Sequence, residues 1–312
     1  MLLDLDPPIV NASGILSFLD VFELLDRKGA AIGGYITKSI SPGERLGNEN
    51  PVVVENGPGG ARPTLNSLAL PSQEPEEWLE ELRETRLTRA RLIVSVNGVS
   101  PEGVSRIVRM TDPHAAGFEL NLSCPNLVPG EESVMAIVGR HPEAAGRVVR
   151  AAKEATGKPV IAKLSPDTKY VEVGRACIEA GADYLGCGNT LPGMAIDIHS
   201  RRPTLAGVSG GVSGPALKPV NLKMVYDVYA ALGCPIVAYG GIATWEDAVE
   251  YLLAGARVIG LGTFFAHRST ADIVRDTAAL WKGIRDYLNG APLGSVVGAA
   301  HGGPREPASK TV

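Results

Sequence analysis

A closed (β/α)8 barrel, the TIM-barrel form of the α/β class, is the fold this sequence predicts, and three observations carry it. Eight short runs rich in Val, Ile and Leu recur along the chain. Stretches with helical period lie between most of them. The length of 312 residues suits one barrel with enlarged loops, so the whole of 1–312 is expected to be a single domain. An open doubly wound sheet is the alternative arrangement of the same alternation.

The elements follow in order. The first apolar pair, 9–10, is followed by a helical stretch at 18–28 that stops at Gly29, and the second pair is 35–36. A helix over 75–86 opens on Pro75, whose fixed φ suits a first turn. The third run, 92–96, leads to a helix at 101–110, again opened by proline. Run 118–122 precedes a helix at 142–156 that ends at Gly157, and run 160–164 precedes one at 171–180 that ends at Gly181. Run 184–187 is followed by the helix 218–232 and Gly233, run 236–239 by 244–253 and Gly255, and run 258–261 by 273–288. The connections 39–73 and 190–215 exceed ordinary βα loops, and long ordered loops usually carry function. The end of the chain, 302–312, lacks periodicity and is expected to fray.

Composition removes several classes of function. With 30 Lys and Arg against 34 Asp and Glu, the net charge of −4 provides no general field for nucleic acid or an anionic membrane, so an anion site must be local. The four cysteines, Cys124, Cys177, Cys187 and Cys234, form no C-x-x-C pair, and no metal site is expected on this chain. Acidic residues at Asp4 and Asp6 and the lack of a long apolar run point to a cytoplasmic protein with no membrane segment.

In such a barrel the active site lies at the carboxyl ends of the strands. The residues there are Asn11-Ala12-Ser13-Gly14, Thr37-Lys38-Ser39, Asn97-Gly98, Asn121 to Asn126, Lys163, Asn189-Thr190, Gly240-Gly241 and Gly262-Thr263. The glycines of the last two groups occupy the place where barrels bind phosphate, and Gly210 to Gly214 extends the candidate cradle. Lys38 and Lys163 end otherwise buried runs, where an unpaired ammonium is costly, so each needs an anionic or acceptor partner. A lysine that reaches solvent is the plain alternative; a flavin is the other, because a fixed cation near N1 and O2 favours its reduced ring. Cys124 follows its strand directly and is a candidate general base, whereas Cys177 and Cys187 are read as buried structural thiols.

These motifs, with Leu65-Asn66-Ser67 and Lys163-Leu164-Ser165-Pro166, resemble the flavin-dependent dihydroorotate dehydrogenases over nearly the whole chain, from Asn11 to about Phe265. Cys124 in place of serine matches the soluble class 1 branch. The resemblance implies oxidation of dihydroorotate to orotate in pyrimidine synthesis, with hydride passing to FMN and a proton to Cys124. It implies FMN held by Ala12, Ser13, Lys38, Ser39, Asn97, Asn121, Lys163, Asn189, Gly211, Gly214, Gly240, Gly241, Gly262 and Thr263. The substrate is assigned to Lys38, Asn66, Ser67, Leu68, Ala69, Leu70, Asn121, Asn126, Asn189 and Thr190. One departure stands out: where the family has glycine, this chain has Ala69, which must adopt the same backbone conformation or rearrange the carboxylate contact.

Two electron routes remain open at this stage. The stretch from Asn189 to Gly193, with Asp197, Arg202-Pro203 and Gly214 to Pro219, resembles the heteromeric branch, in which a partner subunit bearing FAD and an iron–sulfur cluster passes electrons to NAD. The spacing Asn66-Ser67-x-x-Leu70-Pro71 leans toward the homodimers that use fumarate. The heteromeric route, around a homodimer core, is the favoured expectation. The competing functions are a related dihydropyrimidine dehydrogenase and a non-catalytic barrel for a phosphorylated ligand.

Overall fold

The computed structural model describes residues 3–55, 64–97, 100–122 and 138–302. In chain order they form β1 (Ile9–Asn11), α1 (Leu19–Lys28), β2 (Gly34–Ile36), β3 (Val53–Glu55), β4 (Thr64–Asn66), α2 (Pro75–Glu84) and β5 (Arg91–Asn97). There follow α3 (Pro101–Thr111), β6 (Gly117–Asn121), α4 (Pro142–Ala155), β7 (Val160–Leu164), α5 (Tyr170–Glu179) and β8 (Tyr184–Cys187). The remainder comprises β9 (Leu191–Gly193), β10 (Ile196–Asp197), β11 (Arg202–Pro203), β12 (Gly210–Ser213), α6 (Lys218–Leu232), β13 (Ile236–Tyr239), α7 (Trp245–Ala254), β14 (Val258–Leu261) and α8 (Thr270–Leu288).

Eight parallel strands close in the order β1-β14-β13-β8-β7-β6-β5-β2, so the closed barrel prevails over the open sheet. Each coincides with one of the apolar runs, because a parallel strand covered on both faces is written as a short, nearly continuous hydrophobic segment. The helix ends follow local chemistry. Pro75, Pro101 and Pro142 open α2, α3 and α4, and Thr244 with Asp247 and Ser269 with Asp272 form reciprocal caps at α7 and α8. Gly29, at φ 79°, ends α1 in the left-handed conformation that spares the last carbonyls. The part of the expected frayed tail beyond Gly302 lies outside the described residues.

Two hydrophobic layers result. Outward-facing strand residues such as Tyr35, Val94, Leu120, Ala162 and Ile259 pack against the helices in the larger one. Inside the barrel sit Val10, Ile36, Ile93, Ile161, Tyr184, Val237, Tyr239 and Val258. The backbone N–H of Leu3 donates to the Tyr184 hydroxyl at 3.0 Å, which ties the segment before β1 to the lower end of the barrel. Alternation then places Ser95, Glu119, Lys163 and Tyr239 in the next inward layer and Asn97 and Asn121 above them. Two glycines make room: a Cβ on Gly260 would meet the Tyr239 ring at 2.2 Å, and one on Gly186 would meet Lys163 Cα at 3.1 Å.

The two long connections hold structure that the apolar pattern did not predict. Residues from both combine in an antiparallel sheet of order β3-β4-β12-β9, with Gly211 opposite both Asn66 and Pro192. β10 and β11 form a separate short hairpin. The four-stranded sheet brings the Asn66 loop and the segment after β8 together beside the barrel's carboxyl end.

Candidate active site

A cavity of about 740 Å³ opens at that end of the barrel. Of the residues assigned from sequence, Ala12, Ser13, Lys38, Ser39, Asn66, Leu68, Leu70 and Asn121 line it. So do Lys163, Asn189, Thr190, Gly214, Gly240, Gly241, Gly262 and Thr263. Cys124 and Asn126 lie outside the described residues.

The wall after β1 is fixed by an amide that spans two strands. Asn11 Oδ1 accepts from the Ile36 N–H at 2.7 Å, and its Nδ2 donates to the carbonyls of Ile36 and Ile15 at 2.8 and 3.0 Å. Asn11 therefore shapes the loop that presents Ala12 and Ser13. The Ser13 hydroxyl donates to the Thr37 carbonyl at 2.9 Å and lies 3.1 Å from Ser39 Oγ. Lys38 follows β2 and is half-buried, and among the described residues no partner takes its amine. Burial pushes that amine below the usual lysine range.

Opposite, the segments after β13 and β8 are each held from a helix. Tyr251 on α7 donates its hydroxyl to the Gly240 carbonyl at 2.7 Å, and burial raises its pKa. Asn221 on α6 accepts from the Asn189 N–H at 3.2 Å, while Asn189 Oδ1 accepts from the Thr190 N–H at 2.8 Å. Gly240 and Gly241 stand at φ 111° and 70°, and a Cβ on Gly241 would lie 2.6 Å from the Lys218 backbone nitrogen. Glycine at these positions allows the turn to touch the start of α6. At Gly262, among the described residues, the only atom within 4 Å of an added Cβ is the Ala12 Cβ, 3.8 Å away.

The remaining assigned residues stand just outside the lining. Asn97 is buried and donates to Ser41 Oγ, with its Oδ1 unpartnered. Ser67 accepts from Asn48 Nδ2 at 2.9 Å, and Gly211 lies within β12, with Asn66 Nδ2 donating to its carbonyl at 3.2 Å. Ala69 is buried at φ 56° and Leu70 follows at φ 54°, so alanine does take the left-handed conformation that glycine would supply. Cys177 and Cys187 are buried and free, with burial raising the former to about 12 and the latter well above its usual value.

Several lining residues escaped the sequence reading, among them Val53, Glu55, Tyr239 and His267. Val53 and Glu55 reach the cavity only because β3 joins the small sheet. Tyr239 had a local signal, being an aromatic residue at the end of an otherwise aliphatic strand next to the glycine turn.

Comparison with known proteins agrees with this geometry. The family model described as dihydroorotate dehydrogenase matches residues 1–278. The catalytic subunit of dihydroorotate dehydrogenase B (NAD(+)) from Pyrococcus abyssi is 40% identical over 292 residues, covering 93% of this chain and 92% of its own. The corresponding subunit from Geotalea uraniireducens is 40% identical over 301 residues, covering 94% and 93%. That from Pyrococcus furiosus is 38% identical over 291 residues, covering 93% and 92%. With a closed barrel, a cavity at its carboxyl end and similarity along nearly the full length, the chain belongs to the dihydroorotate dehydrogenase family.

Proposed function

We propose that the cavity holds FMN together with dihydroorotate, and that the chain oxidises dihydroorotate to orotate and passes the electrons to NAD through a partner subunit. The observation that carries this reading is the convergence of Lys38, Lys163, three carboxamides and the glycine turns after β13 and β14 on one cavity. Its volume lies within the roughly 300–1,000 Å³ of cofactor and ligand sites.

The residues present fit FMN. Gly214 leads through Pro215 into α6, so N–H groups at a helix start adjoin the turns of Gly240-Gly241 and Gly262-Thr263, a suitable setting for a phosphate. An anionic partner would stabilise the half-buried Lys38 amine in its charged form. Ala12, Ser13, Ser39, Asn97, Asn121, Asn189 and Gly211 complete the proposed FMN set, with Lys163 supplying fixed positive charge. When bound, FMN supplies the acceptor for the hydride that leaves C6 of the substrate.

The chain's own groups orient the substrate and move its proton. Asn66, Asn121, Asn126, Asn189 and Thr190 offer both donors and acceptors, which suits a ring of alternating carbonyl and N–H groups. Ser67 and the backbone from Leu68 to Leu70, set by the left-handed residues Ala69 and Leu70, are assigned the carboxylate. Lys38 adds charge beside it. Cys124 is assigned removal of the C5 proton, for which a partly ionised thiol of ordinary pKa about 8.5 is competent.

Support for the electron route comes from relatives named as catalytic subunits of an NAD(+) enzyme. The homodimer core, and the FAD and iron–sulfur cluster of the partner subunit, are proposed from the sequence resemblance.

Anaerobic titration tests the reading. Dihydroorotate should bleach the flavin bands of the FMN-loaded protein while dihydrouracil leaves them unchanged, and NAD should restore them only when the partner subunit is present. A chain that takes up no FMN, or one bleached equally by dihydrouracil, would overturn the assignment. Direct reoxidation by fumarate would redirect the electron route.

A further inference from the structure

We propose that Glu119, inside the barrel beneath the cavity, is a positioning residue that holds Lys163 in place and offsets its charge, thereby lowering the reduction potential of the flavin. The inference rests on the reading that FMN occupies the cavity.

Glu119 is fully buried, where barrels normally stack branched aliphatic side chains. Its carboxylate is nonetheless well partnered. Oε2 accepts from the Tyr239 hydroxyl at 2.7 Å, Oε1 accepts from Ser95 Oγ at 3.2 Å, and Lys163 Nζ stands 3.9 Å from Oε1. That last distance attracts the ammonium but is too long for a direct hydrogen bond. The same Nζ lies 4.6 Å from the centre of the Tyr239 ring, so one tyrosine supports the lysine with its face and the glutamate with its hydroxyl.

The arrangement reaches the cavity by two routes. Lys163 and Tyr239 line it directly, and Glu119 does not. A chain of hydroxyls runs from Ser95 to Ser39 at 2.9 Å and on to Ser13 at 3.1 Å, both of the latter being lining residues. Gly186 and Gly260 keep the space that Lys163 and Tyr239 occupy. Core stability alone does not call for such a group, because a buried ion pair seldom improves on well-packed apolar residues. Its electrostatic effect has a definite sign. A cation at the cavity floor favours the reduced, more negative ring, and an anion behind that cation opposes it.

The test is E119Q in the FMN-loaded protein, read by the equilibrium potential of bound FMN and by FMN affinity. Glutamine keeps the shape and an acceptor for Tyr239 but removes the charge. At a fixed ambient potential the ratio of reduced to oxidised FMN should rise about tenfold, or about 30 mV for a two-electron couple. FMN affinity should change much less. If E119Q does not fold, Tyr239→Phe and Ser95→Ala, which each take one hydrogen bond from the carboxylate and leave its charge less offset, should lower the ratio by a smaller factor. Folded E119Q with an unchanged or lower ratio overturns the proposal, as do unshifted or raised ratios in both substitutes. Wild-type protein that takes up no FMN overturns the functional reading itself, which a flavin-loaded E119Q of unchanged potential does not.

Discussion

Adding one methyl group at Gly262 probes the cofactor space without a packing clash. The backbone there has φ −111° and ψ −99°, outside the regions an L-residue ordinarily populates, whereas among the described residues the added Cβ would meet only the Ala12 Cβ, at an ordinary 3.8 Å. Gly262→Ala should therefore cost the apoprotein about 1–3 kcal/mol of backbone strain in urea unfolding and still fold. The methyl projects into the space assigned to FMN, where overfilling a fitted site costs about 1–3 kcal/mol. At 1.4 kcal/mol per tenfold, the FMN Kd should rise by roughly 5- to 150-fold. Gly241→Ala is the contrasting variant. Its φ of 70° alone costs an L-residue about 1–2 kcal/mol. Its Cβ also lies 2.6 Å from the Lys218 nitrogen, so it should destabilise the apoprotein more than Gly262→Ala does. FMN fluorescence during reconstitution gives Kd, and urea unfolding of the apoprotein gives stability. Unaltered FMN affinity in a folded Gly262→Ala protein would show that the turn after β14 does not face the cofactor, and the phosphate assignment would fall.

Four further outcomes follow from three named residues. Cys124→Ser should keep FMN but slow flavin reduction by dihydroorotate strongly near neutral pH in anaerobic stopped flow, since an unactivated hydroxyl is a poor base; an unchanged rate would remove Cys124 from the mechanism. Ala69→Gly trades relief of a left-handed alanine, about 1–2 kcal/mol, against a lost buried methyl, about 0.8, and added chain entropy, about 0.5–1, so stability and KM for dihydroorotate should barely move. Ala69→Val, a β-branched residue at φ 56°, should raise KM at least tenfold, and normal kinetics would refute a role for this conformation. Asp26 is a structural counterpart. Burial alone would raise its carboxyl, but the N–H groups of Thr88 and Ala90 at 2.6 and 2.9 Å, with the Thr88 hydroxyl at 2.8 Å, hold it below 3.8. Its stabilisation is thus present above the unfolded value and lost as pH falls through the lower folded one. Asp26→Asn should cost roughly 2–4 kcal/mol at pH 7 in urea and flatten the loss of stability below pH 4; a cost under about 1 kcal/mol would contradict the geometry.

By itself the sequence determined the barrel, the placement of its strands and helices, and the end at which chemistry collects. These are local properties: a strand buried on both faces must be apolar over a few successive residues, a helix shows its period within three turns, and proline and glycine mark the ends. Lys38, Asn121, Lys163 and the glycine turns were legible because each lies at or just beyond the end of such a run. Tertiary structure decided what depends on partners distant in sequence. The strands β3, β4, β9 and β12 have three or four residues of mixed exposure and become a sheet only when Asn66 meets Gly211, 145 residues later. Glu119 reads locally as an ordinary acid between Phe118 and Leu120, and only barrel closure sets it against Tyr239, 120 positions away, and against Lys163 on the neighbouring strand. Ala69 could be flagged from its type but not resolved, because its left-handed backbone is held in a buried loop against its own preference.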